Sequence, residues 1–153
     1  MKRFKTLLIC FLLPLPFISF CQTNSDCSDV TISSATINGS YTVNSYLESD
    51  GIRDGNDYYG STVYYPENTS GLLPSIIIIP GYANPELSIQ AWGSFLASHG
   101  IVCMTIGTNS IWDEVIDRKE ALQDALISLK AENNRTNSLL FNKLDTNLIA
   151  LGG

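Results

Sequence analysis

The sequence predicts a single α/β domain whose sheet is mostly parallel and carries helices on both faces. Three observations support this prediction. Residues 75–79 end in four consecutive isoleucines, a β-branched run typical of a strand covered on both sides. Strand and helix patterns then alternate to the end of the chain, which favours parallel strands joined by right-handed crossovers. A length of 153 residues with 44% apolar content suffices for one domain and is too short for two.

The N-terminal residues are predicted to lie outside this domain. Basic residues precede an apolar run over about residues 7–20, the order found in signal peptides, so residues 1–21 are predicted as a signal peptide for secretion. Residues 22–36 are rich in Ser, Thr, Asn and Asp and are predicted as a flexible lead-in. Two prolines within the short run disfavour a membrane anchor, and the bulky Phe20 disfavours a lipoprotein attached at Cys21.

Two strands are predicted before the isoleucine run. Tyr41, Val43 and Tyr46 are set among polar residues, and residues 61–65 form a second short segment rich in β-formers. Between them, residues 49–57 contain two Asp-Gly pairs and are typical of a turn. We therefore expect an antiparallel hairpin ahead of the parallel strands.

A helix and a buried strand follow the isoleucine run. The helix is predicted over about residues 88–98, and Gly100 ends it. Its apolar residues share one face, formed by Ile89, Trp92, Phe95 and Leu96. The strand is predicted at residues 101–106, and residues 107–110 form the loop that leaves it.

A second helix and strand repeat this order. The helix is predicted to begin near Asp113, because Asp113 and Glu114 suit the positive end of the helix dipole. Its buried stripe is predicted to consist of Leu122, Ala125, Leu126 and Leu129. Residues 147–151 are predicted as a last buried strand, which runs into Gly152 and Gly153.

Charge and cysteine content exclude several classes of protein. The formal charge is −6, and removal of residues 1–21 takes away three basic residues and no acidic one, which leaves −9. A surface of this sign repels nucleic acid and anionic lipid, so neither partner is expected. Two cysteines remain after export, Cys27 and Cys103. Their spacing does not establish a disulfide, and Cys103 is expected as a buried free thiol.

No metal site is expected from the pattern of ligand-type residues. The sequence has no Cys/His cluster with metal-ligand spacing. Asp50, Asp54, Asn56 and Asp57 are candidate calcium ligands, but their spacing differs from that of an EF-hand loop. Ordinary hairpin turns explain these Asp-Gly pairs.

Ligands of such a sheet are expected at the carboxyl ends of its parallel strands. These ends are residues 81–85, residues 107–112 and the residues that follow Leu151. A buried strand entering two glycines fits the sharp Gly-x-Ser-x-Gly turn that lifts a serine above the sheet. It fits a plain loop or a nucleotide-binding glycine turn about as well.

Between about residues 39 and 153, several short motifs follow one another in an order and at spacings that form a recognisable pattern. They are Val63-Tyr64-Tyr65-Pro66, Pro80-Gly81-Tyr82, Trp92-Gly93, Leu96-Ala97-Ser98-His99-Gly100, Thr108-Asn109-Ser110, Asp113, Arg118 and Asp145-Thr146. Together they resemble the bacterial cutinases and poly(ethylene terephthalate) hydrolases, in the dienelactone-hydrolase-like branch of the α/β-hydrolases. The resemblance implies an α/β-hydrolase fold of which this chain holds the N-terminal half. The chain departs from the family pattern at Val115 and Ala121.

The resemblance also implies a site at the loop after the isoleucine run. The backbone N–H of Tyr82 would form half of an oxyanion hole. The substrate cleft would be lined by Gly81, Tyr82, Ala83, Thr108 and Asn109. Gly153 matches the first glycine of the nucleophile elbow, so the catalytic serine is expected two residues beyond it and no catalytic residue within the chain.

The expected function follows from that match. The full-length protein would be a secreted, monomeric serine hydrolase of polyesters or cutin-like esters that needs no cofactor, and the chain as it stands would be inactive. Four other prominent residues are expected to be structural. His99 ends a helix at the opposite edge of the sheet from the strand ends, so it is not expected to be the catalytic base, and Trp92 is expected in the core. Asp113 is expected to cap a helix, and Arg118 is expected to pair with a partner on the surface.

Two further hypotheses stay open. The substrate of the same fold could be a small soluble ester, as in a carboxylesterase, a phospholipid acetylhydrolase relative, or a dienelactone hydrolase with a cysteine nucleophile. The chain could also be a short binding module without catalysis. A parallel sheet that stops after its third buried strand leaves an unpaired edge and bare helix faces, which disfavours this last hypothesis.

Overall fold

The computed structural model describes residues 36–47 and 55–153. The predicted signal peptide and almost all of the predicted lead-in lie outside these residues. So do Cys27, Asp50 and Asp54.

One mixed sheet of five strands forms the centre of the described part. The strands are β1 (Val43–Leu47), β2 (Tyr58–Pro66), β3 (Leu73–Ile78), β4 (Val102–Thr108) and β5 (Leu144–Gly152). They lie in the order β1-β2-β4-β3-β5. β3 pairs in parallel with β4 and β5, whereas β2 pairs antiparallel with β1 and β4. Four strands therefore point the same way, and both the mostly parallel sheet and the hairpin are confirmed.

Two helices cover opposite faces of the sheet. Helix α1 (Gln90–Ser98) follows a short 3-10 turn at Glu86–Ser88, and helix α2 (Val115–Asn134) follows β4. The chain crosses the sheet in one direction from β3 to β4 and in the other from β4 to β5. Tyr64 lies against Gly93 of α1, whereas its neighbour Val63 belongs to the core packed on α2. Because successive residues of a strand point to opposite faces, the two helices lie on different faces, as predicted.

The main core lies between the sheet and α2. The buried residues of this helix include Ala121, Ala125 and Leu129, while Leu122 and Leu126 pack at the margin of the core. The strands contribute mainly Val63, Tyr65, Ile77, Val102, Met104 and Ile106, and Ile79 joins them directly after β3. Each fully buried side chain of this size contributes about 1.5–3 kcal/mol to folding. The predicted stripe of α2 is therefore confirmed.

Small residues, rather than large apolar ones, form the buried face of α1. Its buried residues are Gly93, Ala97 and Ser98. A Cβ at Gly93 would lie 2.1 Å from Cδ2 of Tyr64, so the helix approaches this ring more closely than any side chain at position 93 allows. The prediction that Trp92 belongs to the core is wrong, because the Trp92 side chain is 56% exposed.

The last strand is also less buried than predicted. β5 is present, but Leu148 is 59% exposed and Leu151 is 46% exposed. Ile76 and Ile78 of the neighbouring β3 are only half-buried. α1 packs mainly against β1, β2 and β4, so within the described residues this part of its face of the sheet is only partly covered.

Candidate active site

The loop that leaves β3 (the β3 loop, residues 80–84) forms a tight turn. The Asn84 N–H donates to the Gly81 carbonyl over 3.1 Å, and the Asn84 side-chain amide donates to the Tyr82 carbonyl over 3.0 Å. Ala83, at the third position of the turn, has a φ of 60°. This left-handed conformation costs a residue with a Cβ about 1 kcal/mol, so contacts rather than local preference hold the turn.

Tyr82 lies at the tip of this turn. Among the residues that the structure describes, none accepts a hydrogen bond from the Tyr82 N–H. The Tyr82 ring is 58% exposed and meets the equally exposed Trp112 ring edge-on, with 5.7 Å between the ring centroids. A backbone donor and an aromatic surface therefore lie side by side at the carboxyl end of β3.

The loop that leaves β4 (the β4 loop, residues 109–114) is fixed by its own side chains. The Asp113 carboxylate accepts a 3.0 Å hydrogen bond from the Ser110 N–H. Helix α2 begins two residues later than predicted, with Glu114 as its N-cap and a capping box between Glu114 and Asp117. Asp113 therefore caps the loop, and the prediction that it caps the helix is wrong.

Backbone and side-chain hydrogen bonds join the two loops. The Ala83 N–H donates to the Ile111 carbonyl over 2.8 Å. The Arg118 guanidinium donates from Nε to the Asp113 carbonyl over 2.8 Å, from Nη2 to the Ile111 carbonyl over 3.2 Å, and from Nη1 to the Pro80 carbonyl. The prediction that Arg118 pairs on the surface is therefore wrong, because its half-buried side chain binds three backbone carbonyls instead.

Glu86 fixes the chain just beyond the β3 loop. The hydroxyl of Thr105, which is fully buried in β4, donates a 2.6 Å hydrogen bond to Oε1 of Glu86. Burial raises the pKa of the nearby Tyr64 phenol, and the negative charge of Glu86 raises it further. The β3 loop is thus anchored to β4 on its downstream side as well.

Thr108 and Asn109 stand at the end of β4, the parallel neighbour of the strand from which the β3 loop leaves. Thr108 is buried at the end of β4, and the Asn109 amide donates to the Asn56 carbonyl over 2.9 Å. Thr108 lines a hollow together with Tyr59, Glu86 and Leu87, and this hollow does not include Gly81, Tyr82 or Ala83.

The end of β5 lies beside the β3 loop. The Ile79 N–H donates to the Gly152 carbonyl over 3.0 Å. A Cβ at Gly153 would lie 2.4 Å from Cγ2 of Ile79, so this position needs a glycine. Gly152 and Gly153 share an apolar hollow with Gly81, Ile89 and Trp92. The ends of β3 and β5, two of the three strand ends at which the sequence predicts ligand binding, therefore lie side by side.

His99 and Cys103 take no part in this edge of the sheet. His99 follows the last residue of α1, close to the start of β4, and its Nε2 lies 3.1 Å from the Ile37 carbonyl. Cys103 is a free thiol, fully buried in β4, as expected. Burial raises the pKa of the Cys103 thiol to about 12, so it stays protonated at neutral pH.

The described residues contain no group of three or more His, Cys, Asp or Glu side chains able to hold a metal ion. Of the candidate calcium ligands, Asp57 uses its backbone N–H to bind the Asp124 carboxylate over 2.9 Å. None of the helices within the described ranges has the length and apolarity that a bilayer crossing requires.

Comparison with known proteins identifies the family. A family model described as "PETase: PET hydrolase-like" matches residues 22–153. The chain belongs to this PET hydrolase-like family. The α/β-hydrolase fold expected from the sequence is thereby confirmed for the PET hydrolase-like chain.

Curated relatives of this PET hydrolase-like chain carry the names lipase and cutinase. Lipase 1 of Moraxella sp. (strain TA144) is 38% identical over 117 residues, which cover 75% of this chain and 36% of the relative. Cutinase 1 of Thermobifida cellulosilytica and a cutinase of Thermobifida fusca (strain YX) are each 38% identical over 96 residues, or 61% of this chain and 34% and 30% of the relatives. The chain spans about a third of the length of these relatives.

Three residues at this edge of the sheet were not predicted in their observed roles. Arg118 was matched to the family, but its reach to Pro80 across the fold has no local signal in the sequence. Glu86 and Trp112 were not singled out at all. The position of Trp112, in a loop after a predicted parallel strand, is the one signal that could have indicated an exposed aromatic residue at this edge.

Proposed function

We propose that the protein containing this chain is a secreted serine ester hydrolase of the cutinase type, acting on polyesters such as poly(ethylene terephthalate) or on cutin-like esters. The observation that carries the proposal is the Tyr82 N–H. It lies in a turn held from both sides, next to the end of β5, and has no acceptor among the described residues. Membership of the PET hydrolase-like family and relatives named cutinase support the choice of chemistry.

In the proposed reaction, a serine two residues beyond Gly153 attacks the ester carbonyl. A histidine outside this chain takes the serine proton, an aspartate orients that histidine, and the carbonyl oxygen becomes an oxyanion. Collapse of the tetrahedral intermediate expels the alcohol, which receives the proton, and water then releases the acid from the acyl-enzyme. Tyr82 donates its N–H to the oxyanion, together with the N–H of the residue after the serine.

The geometry of the β3 loop suits this role on physical grounds. A donor that is already aimed costs no reorganisation when negative charge develops, and one such donor contributes roughly 3 kcal/mol to transition-state stabilisation. We propose that Gly81, Tyr82 and Ala83 border the cleft, with the exposed Trp112 ring beside them. Thr108 and Asn109 would support this edge from β4 without reaching the ester.

Hydrolysis by the full-length gene product tests the proposal. Purified enzyme should release soluble acids and alcohols from a film of an aromatic polyester and should also cleave a short p-nitrophenyl ester. The chain of residues 22–153 alone should cleave neither, because it contains none of the three triad residues that the resemblance implies. Turnover of the p-nitrophenyl ester by this fragment, free of contaminants, would contradict the assignment of the triad.

A second candidate substrate is a lipid or small soluble ester, which the relative named Lipase 1 favours. The same experiment separates the two. Rapid cleavage of the p-nitrophenyl ester without release from the film would support the small-ester function. No cleavage of either substrate by the full-length protein would contradict both.

Export and oligomeric state form part of the proposal and have their own measurements. Mass spectrometry of the protein secreted by its native host should give Gln22 as the first residue. Size-exclusion chromatography with light scattering should give a monomer. A mature N-terminus that retains residues 1–21 would contradict the signal peptide.

A further inference from the structure

We propose that Arg118 is a positioning residue, which holds the β3 loop in the conformation that aims the Tyr82 N–H at the oxyanion. This role rests on the proposed function of the loop as half of an oxyanion hole. The contacts of Arg118 are independent of that function.

Three donors of one rigid fork reach three carbonyls in two separate loops. Nη1 binds the Pro80 carbonyl in the β3 loop, whereas Nε and Nη2 bind the Asp113 and Ile111 carbonyls in the β4 loop. The residues that the structure describes place no carboxylate in an ion pair with Arg118. The side chain therefore donates its hydrogen bonds to backbone carbonyls of both loops, which fixes the spacing between the loops.

The anchored groups lie on either side of the Tyr82 donor. The Pro80 carbonyl fixes the peptide group before Gly81, so the chain enters the turn in one orientation. The Ala83 N–H binds the Ile111 carbonyl, which is the same oxygen that Nη2 of Arg118 binds. The peptide groups before and after the Tyr82 N–H are thus both tied to one assembly, and the left-handed Ala83 is kept in place within it.

A lysine at this position would not reproduce the arrangement. The guanidinium is planar and presents donors in fixed directions, whereas an ammonium group is a point charge at the end of a flexible stem. Lysine keeps the charge but cannot bind all three carbonyls in this geometry. A role that depends only on positive charge would survive the exchange, and a positioning role would not.

The kinetic arm of the test uses the full-length enzyme and three variants. In Arg118→Gln and Arg118→Lys we expect kcat for the p-nitrophenyl ester to fall about 10- to 100-fold, because small displacements of a catalytic donor have effects of this size. KM should change less than about threefold, because the donor acts mainly in the transition state. Lys119→Gln is the matched control, since Lys119 is the exposed neighbour of Arg118 on α2 and should leave kcat unchanged.

Amide hydrogen exchange supplies a readout that does not depend on activity. In both Arg118 variants the Ala83 N–H should exchange at least about tenfold faster, while the Met104 N–H in the centre of the sheet should keep its rate. Unchanged exchange at Ala83, or equal acceleration at Ala83 and Met104, would overturn the positioning role. So would a normal kcat in Arg118→Lys.

The two arms distinguish the failure of this proposal from failure of the proposed function. If the unmodified full-length protein cleaves no ester, the hydrolase function is wrong, and exchange at Ala83 alone decides whether Arg118 holds the loop. If the enzyme is active but the Arg118 variants match the Lys119→Gln control in kcat, the positioning role is wrong and the hydrolase function stands.

Discussion

The Ala83 N–H donates a 2.8 Å hydrogen bond to the carbonyl oxygen of Ile111, which joins the loops that follow two neighbouring parallel strands. Without such a bond, each loop could move with its own strand end. Because this hydrogen bond and the hydrogen bonds of Arg118 both join the β3 loop to the β4 loop, the two loops form one unit at the carboxyl edge of the sheet. We expect a donor carried by this unit, such as the Tyr82 N–H, to keep its direction.

Ala83→Gly should stabilise the protein by up to about 1 kcal/mol, because glycine adopts the left-handed φ of 60° without a Cβ clash. The free energy of unfolding from chemical denaturation measures the effect. Ala131→Gly in α2 is the matched control and should lose about 1 kcal/mol, because glycine is unfavourable in a helix. A loss of stability as large as that of Ala131→Gly would show that residue 83 is not strained.

Gly93→Ala should destabilise the protein by about 1–3 kcal/mol, because the added Cβ would lie 2.1 Å from Cδ2 of Tyr64. In a Tyr64→Ala background the same change should become neutral or stabilising, since the clash is gone and alanine favours the helix. Unfolding free energies of the two single variants and the double variant give the coupling. Additive effects would mean that α1 does not pack on Tyr64.

Stability should fall as pH rises above about 9, because burial raises the pKa of the Cys103 thiol from its ordinary 9.0 to about 12. Above pH 9 the unfolded chain releases this proton while the folded chain keeps it, so unfolding becomes more favourable. Denaturation at several pH values between about 8 and 10 measures the slope. Cys103→Ala should flatten it, and an equal slope in both proteins would contradict the burial of the thiol.

Glu132→Ala should cost about 3 kcal/mol of stability, because Glu132 is fully buried and its carboxylate accepts hydrogen bonds from Arg135 and Ser138. Glu120→Ala, on the exposed side of the same helix, should change stability by less than about 0.5 kcal/mol. Thermal and chemical denaturation of the two variants provide the comparison. Equal effects would show that the Glu132 contacts do not stabilise the fold.

Local patterns in the sequence are enough to predict the strands and helices. The isoleucine run of β3 and the helical spacing of Ala125 and Leu129 each depend on neighbours in the chain. Burial is predicted less well, because it depends on what lies across the fold. Trp92 and Leu148 look like core residues by composition, yet they are 56% and 59% exposed.

The candidate site, too, could be predicted only in part from the sequence. The carboxyl end of β3 could be located from strand order, and Tyr82 could be singled out from the resemblance. The contacts that hold Tyr82 could not, because Arg118 reaches Pro80 over 38 positions of sequence and its acceptors are backbone carbonyls, which no residue type reveals. Nor does the sequence reveal that Thr108 is buried at the end of β4 or that the Asn109 amide donates to the Asn56 carbonyl.

Replacement of the Tyr82 N–H itself tests the central claim most directly. Tyr82→Pro removes the backbone donor, whereas Tyr82→Ala keeps it and removes only the ring. In the full-length enzyme, with a p-nitrophenyl ester, kcat should fall about 100- to 1,000-fold in Tyr82→Pro and much less in Tyr82→Ala. Equal kcat values in these two variants, with both proteins folded by circular dichroism, would contradict an oxyanion-stabilising β3 loop.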